Sequence, residues 1–343
     1  MEKIKVLIRT EGHLKLGMGN IFRSIRIAKK LQERYNANIK FILEPTSLIG
    51  IKKILDAGFK VEMVEFSKIR QYFKHINSFR PHIVINDVLN LEEAYMKELK
   101  KFNLLTVNFE DKALSTTRDY ADLVFNSLYD DKETKTNYYH GPKYSAISDS
   151  FKNIKKKKTN KECKNFLLTF GGSDPSGFTI KVSKILNKID DVHVTVFLGP
   201  SFGSHQQLYD LLKYLDKDKF TIKYDVEYNP KDFENIDMAI ASGGHTCYEL
   251  AAAGIPTILL CQNDLEKERG TFIAKYGTVI NMGDGNSLEE LKLMNAVKKL
   301  MSNYDLRKRM AENGQNLIDG CGVDRIAEII FNESKNKMQI TDK

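Results

Sequence analysis

Near its N-terminus the chain reads Lys5-Val6-Leu7-Ile8-Arg9-Thr10, a short apolar strand. A glycine-bearing turn, Glu11-Gly12-His13, carries it toward Ile21–Leu31, where apolar residues recur at helical spacing. The same alternation repeats. Asn38–Glu44, Lys60–Glu65, His82–Asp87, Leu104–Asp111 and Leu123–Ser127 read as strands. Between them, Ser47–Ala57, Ser67–Phe79 and Leu91–Phe102 read as helices. Nearly continuous apolar strands alternating with helices predict a parallel sheet covered on both faces.

The rhythm breaks between about residues 128 and 164, where polar runs, the aromatic group Tyr138, Tyr139 and Tyr144, and the basic run Lys155–Lys158 occur. A domain boundary near residue 150 is expected there, with Lys155–Lys158 as a solvated linker face. A second series follows at Phe166–Gly172, His193–Gly199, Phe220–Asp225, Met238–Gly244, Pro256–Cys261 and Thr278–Gly283, and Ser287 to about Ser334 reads as helical. The expected fold is therefore α/β, with two Rossmann-like doubly wound domains over 1–150 and 151–343. Tandem halves of this kind are expected to face a ligand cleft at the carboxyl ends of their strands.

Composition narrows the class. With 343 residues and a 42% hydrophobic fraction, the chain can bury two cores. Its 53 Lys and Arg against 45 Asp and Glu give +8, a mild excess that favours an anionic ligand without describing a nucleic-acid binder. The four cysteines show no C-x-x-C spacing and read as reduced thiols of a cytoplasmic protein. No targeting segment or membrane span is apparent, although peripheral contact with anionic lipid stays open. No metal-ligand spacing, phosphate-loop motif or cofactor signature is present. Oligomeric state is not legible.

Three glycine turns carry the candidate chemistry. Gly17-Met18-Gly19-Asn20-Ile21-Phe22-Arg23 opens the first helix; Phe22 stands where the dinucleotide fingerprint has its third glycine. Gly171-Gly172-Ser173-Asp174 and Gly243-Gly244-His245-Thr246 each follow a buried strand and precede a helix. Backbone amides at such turns suit a diphosphate. Glu249, about one turn into the later helix, suits a pair of vicinal hydroxyls such as those of a ribose.

In colinear order from about residue 4 to 285, these segments resemble the PseG/SpsG-like nucleotide-sugar hydrolases, which are related to MurG-type glycosyltransferases of GT-B fold. The resemblance is carried by Gly17–Arg23, Asp87, Glu110-Asp111-Lys112-Ala113 with Tyr120-Ala121-Asp122, Gly141-Pro142-Lys143-Tyr144, Thr169–Pro175, Gly243–Leu250 with Gly254–Pro256, and Asn263. It implies a UDP-linked diacetamido-trideoxy amino sugar as substrate. The second half would hold the diphosphate at Gly172-Ser173 and Gly244-His245-Thr246 and the ribose at Glu249, with Gly171, Asp174, Gly243 and Asn263 also among the substrate-binding residues. The first half would hold the sugar, with Gly17, Gly19, Arg23, Glu110 and Asp111 contributing. Water would then release free sugar for nonulosonic-acid (pseudaminic-acid) or surface-glycan synthesis, with no cofactor.

One position departs from the family pattern. Its histidine, the expected general base, is Asn20 here, and an amide cannot take a proton near neutral pH. Glu11, His13, Asp87 or Asp111 could supply the base. Alternatively an acceptor sugar replaces water, as in an inverting GT-B glycosyltransferase, or the protein binds a nucleotide sugar without turnover.

Overall fold

The computed structural model describes residues 3–12, 17–110, 117–129, 135–203, 206, 209, 213, 215–226 and 228–341. The chain divides into two compact units, Met1–Ala146 with Cys321–Lys343, and Ile147–Gly320.

The first unit runs β1 (Lys5–Thr10), α1 (Gly19–Tyr35), β2 (Asn38–Leu43), α2 (Leu48–Asp56), β3 (Lys60–Met63), α3 (Ile69–Phe79), β4 (Ile83–Asp87), α4 (Glu93–Leu99), β5 (Leu105–Phe109), β6 (Leu123–Asn126) and β7 (Tyr138–His140). Its seven strands are all parallel, in the order β3-β2-β1-β4-β5-β6-β7. The order reverses between β1 and β4, and the crevice at such a switch point is where open α/β sheets bind ligands. Tyr138–His140, an aromatic cluster in the linker by sequence, is the seventh strand; three residues are too few for a periodicity to show.

α1 forms because Ile21, Ile25, Ala28 and Leu31 fall on one face, which is buried. It ends where Asn36 takes a left-handed conformation and its N–H bonds back to Gln32 and Leu31. The opposite sheet face packs Leu7, Val84 and Val124 against Tyr72 and Ile76 of α3 and Tyr95, Met96 and Leu99 of α4.

The second unit comprises β8 (Asn165–Thr169), α5 (Phe178–Leu186), β9 (His193–Leu198), β10 (Phe220–Tyr224), β11 (Met238–Ala241), α6 (Thr246–Ala252), β12 (Thr257–Cys261), α7 (Asp264–Ala274), β13 (Val279–Asp284), α8 (Glu290–Ser302) and α9 (Tyr304–Leu317). Its six parallel strands run β10-β9-β8-β11-β12-β13, with the switch point between β8 and β11. All four cysteines are free.

Two features depart from the sequence pattern. Where that pattern puts all of 151–343 in the second domain, α10 (Gly322–Thr341) packs with the first unit. Its Val323, Ile326, Ala327 and Ile330 join the core under α1, and Phe331 stacks on Tyr35 at 3.8 Å. Lys157, expected on a solvated face, instead has its ammonium donating to the carbonyls of Phe233 and Glu234, both at 2.6 Å. Lys155, Lys156 and Lys158 are exposed as expected.

Candidate functional site

In the first unit the candidate residues collect at the β1/β4 switch point. Asp87 ends β4 and is fully buried. Arg23 from α1 grips its carboxylate with two nitrogens, Nε at 3.0 Å from Oδ2 and Nη2 on Oδ1. The Ser24 hydroxyl donates to Oδ2 at 2.9 Å. The fork-on-carboxylate geometry makes this a strong charge-assisted pair. Arg23 also lies over the ring of Phe109, 4.9 Å from its centroid.

Asn20, one turn earlier on α1, turns its amide inward. Its Nδ2 donates to the Asp87 carbonyl at 3.4 Å, and its Oδ1 accepts from Arg23 Nη2 at 3.4 Å. Glu11 follows β1 and accepts from the backbone N–H of Leu89, just past β4. Two of the four candidate bases, Glu11 and Asp87, thus come to one strand edge. Asp87 is held in an ion pair there, so acting as a base would mean giving up a bond to Arg23 or Ser24. His13 and Asp111 lie outside the described residues. Gly17 adopts φ +85°, which only glycine takes without strain, and Gly19 begins α1. Glu110 is buried in an ion pair with Arg118 at 2.9 Å, and Arg118 covers the Tyr138 ring.

In the second unit both later glycine turns lie at the β8/β11 switch point. The Ser242 hydroxyl sits between them, 3.8 Å from where a Cβ on either Gly171 or Gly244 would be. The Gly171-Gly172 turn is pressed from below: a Cβ on Gly199, after β9, would come within 2.4 Å of the Gly171 carbonyl. The Gly172 carbonyl accepts from Ser201 N at 2.9 Å. Gly171 needs its positive φ of 76° to make this turn.

Asp174 takes a structural part here. Its carboxylate accepts from the N–H groups of Phe178 and Thr179 at 2.9 and 2.7 Å, capping α5. Burial raises its carboxyl above the ordinary range, against the pull of those bonds. Asn263 likewise caps α7, accepting from Glu266 N at 3.0 Å. Ser173, Thr246 and Glu249 are buried, and His245 stands at the N-cap position of α6.

Three participants escaped the sequence reading. Tyr228, after β10, has its hydroxyl 2.8 Å from that of Thr169 and also bonds Thr246, so it ties the β8 end to the α6 start. Burial pushes this hydroxyl up to about 12, which keeps it protonated. Gln262 donates to the Phe170 carbonyl at 3.2 Å and accepts from Ser176 N at 3.3 Å, joining the β12 end to the first turn. Glu266 lies against Gly243, a Cβ there meeting its carbonyl oxygen at 2.5 Å. The only signal for the last two was position: Gln262 follows directly on β12, which ends beside the switch point, and Glu266 lies in the first turn of the next helix.

No protein-family model matches the sequence. The chain is 35% identical over 280 residues to the uncharacterized protein MJ1062 of Methanocaldococcus jannaschii, an alignment covering 77% of this chain. The match spans only 57% of that relative's length. It is 25% identical over 337 residues to the spore coat polysaccharide biosynthesis protein SpsG of Bacillus subtilis, covering 94% of this chain and 96% of the relative. Among solved structures, MurG of Acinetobacter baumannii superimposes with a TM-score of 0.73 at 14% identity, covering 96% of this chain and 99% of that one. With two parallel-sheet α/β units and this likeness, the fold is GT-B-like.

Proposed function

We propose that the chain processes a nucleotide sugar, with the second unit holding the nucleotide diphosphate and the first unit acting on the sugar. The observation that carries this reading is the meeting of the Gly171-Gly172 and Gly243-Gly244 turns around Ser242 at one switch point. Backbone amides from two turns can neutralise a diphosphate without a metal cage. Glu249, one turn into α6, would take the ribose hydroxyls. The likeness to a polysaccharide-biosynthesis protein along nearly the whole chain supports a role in surface-glycan assembly.

The reaction we favour is hydrolysis of a UDP-linked diacetamido-trideoxy amino sugar. Water attacks the anomeric carbon, the bond to the diphosphate oxygen breaks, and its electron pair leaves with UDP. The water's proton passes to a base at the β1/β4 edge. We favour Glu11, whose carboxylate accepts from the Leu89 N–H, over Asp87, whose carboxylate is held by the Arg23 guanidinium and the Ser24 hydroxyl. Glycosyl transfer is the second reading. It is supported by the likeness of fold to MurG; the acceptor hydroxyl, like water, would pass its proton to a base other than Asn20.

UDP release from UDP-diacetamido-trideoxyhexoses, measured with and without acceptor sugars, separates these readings. Release without acceptor supports hydrolysis, and release only with acceptor supports transfer. Binding without release under either condition leaves a nucleotide-sugar binder. Glu249→Ala should weaken UDP binding by about 1.5–3 kcal/mol, the worth of a charged hydrogen-bonding pair. An unchanged affinity would remove Glu249 from the ribose site.

A further inference from the structure

The Gly243-Gly244 turn already holds a carboxylate. The N–H of Gly243, after β11, and that of Gln262, after β12, both donate to the side chain of Glu266 in the first turn of α7. The Gln262 bond is 2.8 Å to Oε2, and Oε1 lies 4.0 Å from where a Cβ on Gly244 would be. The close approach of the Glu266 backbone to Gly243 leaves no room for a side chain at 243 and keeps the start of α7 against this turn. The Glu266 carboxyl group therefore sits against the glycine turn that an incoming diphosphate would approach.

We propose that Glu266 tunes nucleotide release at this site, its charge weakening the hold on the diphosphate so that the departing nucleotide leaves. The inference rests on reading the second unit as the diphosphate site. Like charges a few ångströms apart in a partly dry turn repel strongly, and salt screens them little. The other groups that bear on Glu266 are known. Asp174, from the turn before α5, adds a second negative charge, and Arg269 on α7 itself supplies the opposing positive one. Cys247 on α6 and Cys261 at the end of β12 also face it, and burial raises both thiols, keeping them neutral. Burial raises the Glu266 carboxyl as well, while the two amides and Arg269 draw it down.

The test is calorimetric titration of the full chain with UDP, comparing wild type with Glu266→Gln. Glutamine removes the charge and keeps one acceptor oxygen for the amides at nearly the same size. At about pH 8 the variant should bind UDP about tenfold more tightly. The ratio of the two dissociation constants should shrink as pH is lowered and the Glu266 carboxyl takes up its proton, the ionisation of UDP itself cancelling in the ratio. Glu266→Asp, which keeps the charge, should bind no more tightly than wild type. If wild type binds UDP and Glu266→Gln binds it equally or more weakly at the higher pH, this inference is overturned while the nucleotide reading stands. Tight binding by Glu266→Asp would overturn it too. If wild type binds neither UDP nor a UDP-sugar, the proposed function falls and takes the inference with it.

Discussion

Arg23 and Asp87 show what a motif leaves unsaid about a residue pair. In the sequence both look like groups that meet a substrate. In the fold they meet each other, with Asp87 fully buried and its carboxylate claimed by Arg23 and Ser24. Arg23→Ala would leave that charge buried without its partner. Urea denaturation should then register a loss of about 3–5 kcal/mol. Adding Asp87→Asn should recover part of the loss, because no charge is left stranded; no recovery would mean the arginine acts by packing alone. Lys157 offers a pH-dependent case. Burial lowers its ammonium from 10.5 to about 8, so the fold disfavours the charged form relative to the unfolded chain. The unfolded state therefore binds more protons between those two values, and this group's contribution to stability improves as pH rises through that window. Lys157→Met should flatten the alkaline limb of the stability–pH curve, and an unaltered limb would exclude this residue as its source.

At the scale of the element, the glycine turns depend on neighbours distant in sequence. Gly199 lets the segment after β9 lie against the Gly171-Gly172 backbone, where a methyl group would come within 2.4 Å of a carbonyl oxygen and 2.5 Å of a Cα. Backbone atoms cannot swing aside as a side-chain tip would. Gly199→Ala should displace the turn, destabilise the second unit by about 1–3 kcal/mol and weaken UDP binding more than tenfold. Equal affinity in the variant would argue that the turn takes no part in binding. The turns themselves were legible, because glycines between a strand and a helix are a strong local signal. Their supports were not. Gly199, Tyr228, Gln262 and Glu266 reach the site through strand order, which a linear pattern does not display.

For the whole molecule, the order of the two sheets brings every described candidate to a strand edge, and α10 completes a unit begun some 300 residues earlier in the chain. Ile330 has no exposed surface and packs into the core beneath α1. Ile330→Ala should cost the first unit about 2–5 kcal/mol. Hydrogen exchange should show the loss in β1 and α1 while β8 and β11 keep their protection; uniform loosening of both units would contradict the assignment of α10. Strand and helix alternation, the glycine turns and the presence of an amide at position 20 were determined by the sequence itself, since each depends on local periodicity or on residue identity. Only the tertiary structure decided that Asp174 and Asn263 cap helices, that Asp87 is neutralised by Arg23, and that a carboxyl group lies in the Gly243-Gly244 turn. The physical reason is that a side chain's chemistry is set by what lies within hydrogen-bonding distance of it. In a parallel sheet those neighbours arrive from other strands, tens of residues away.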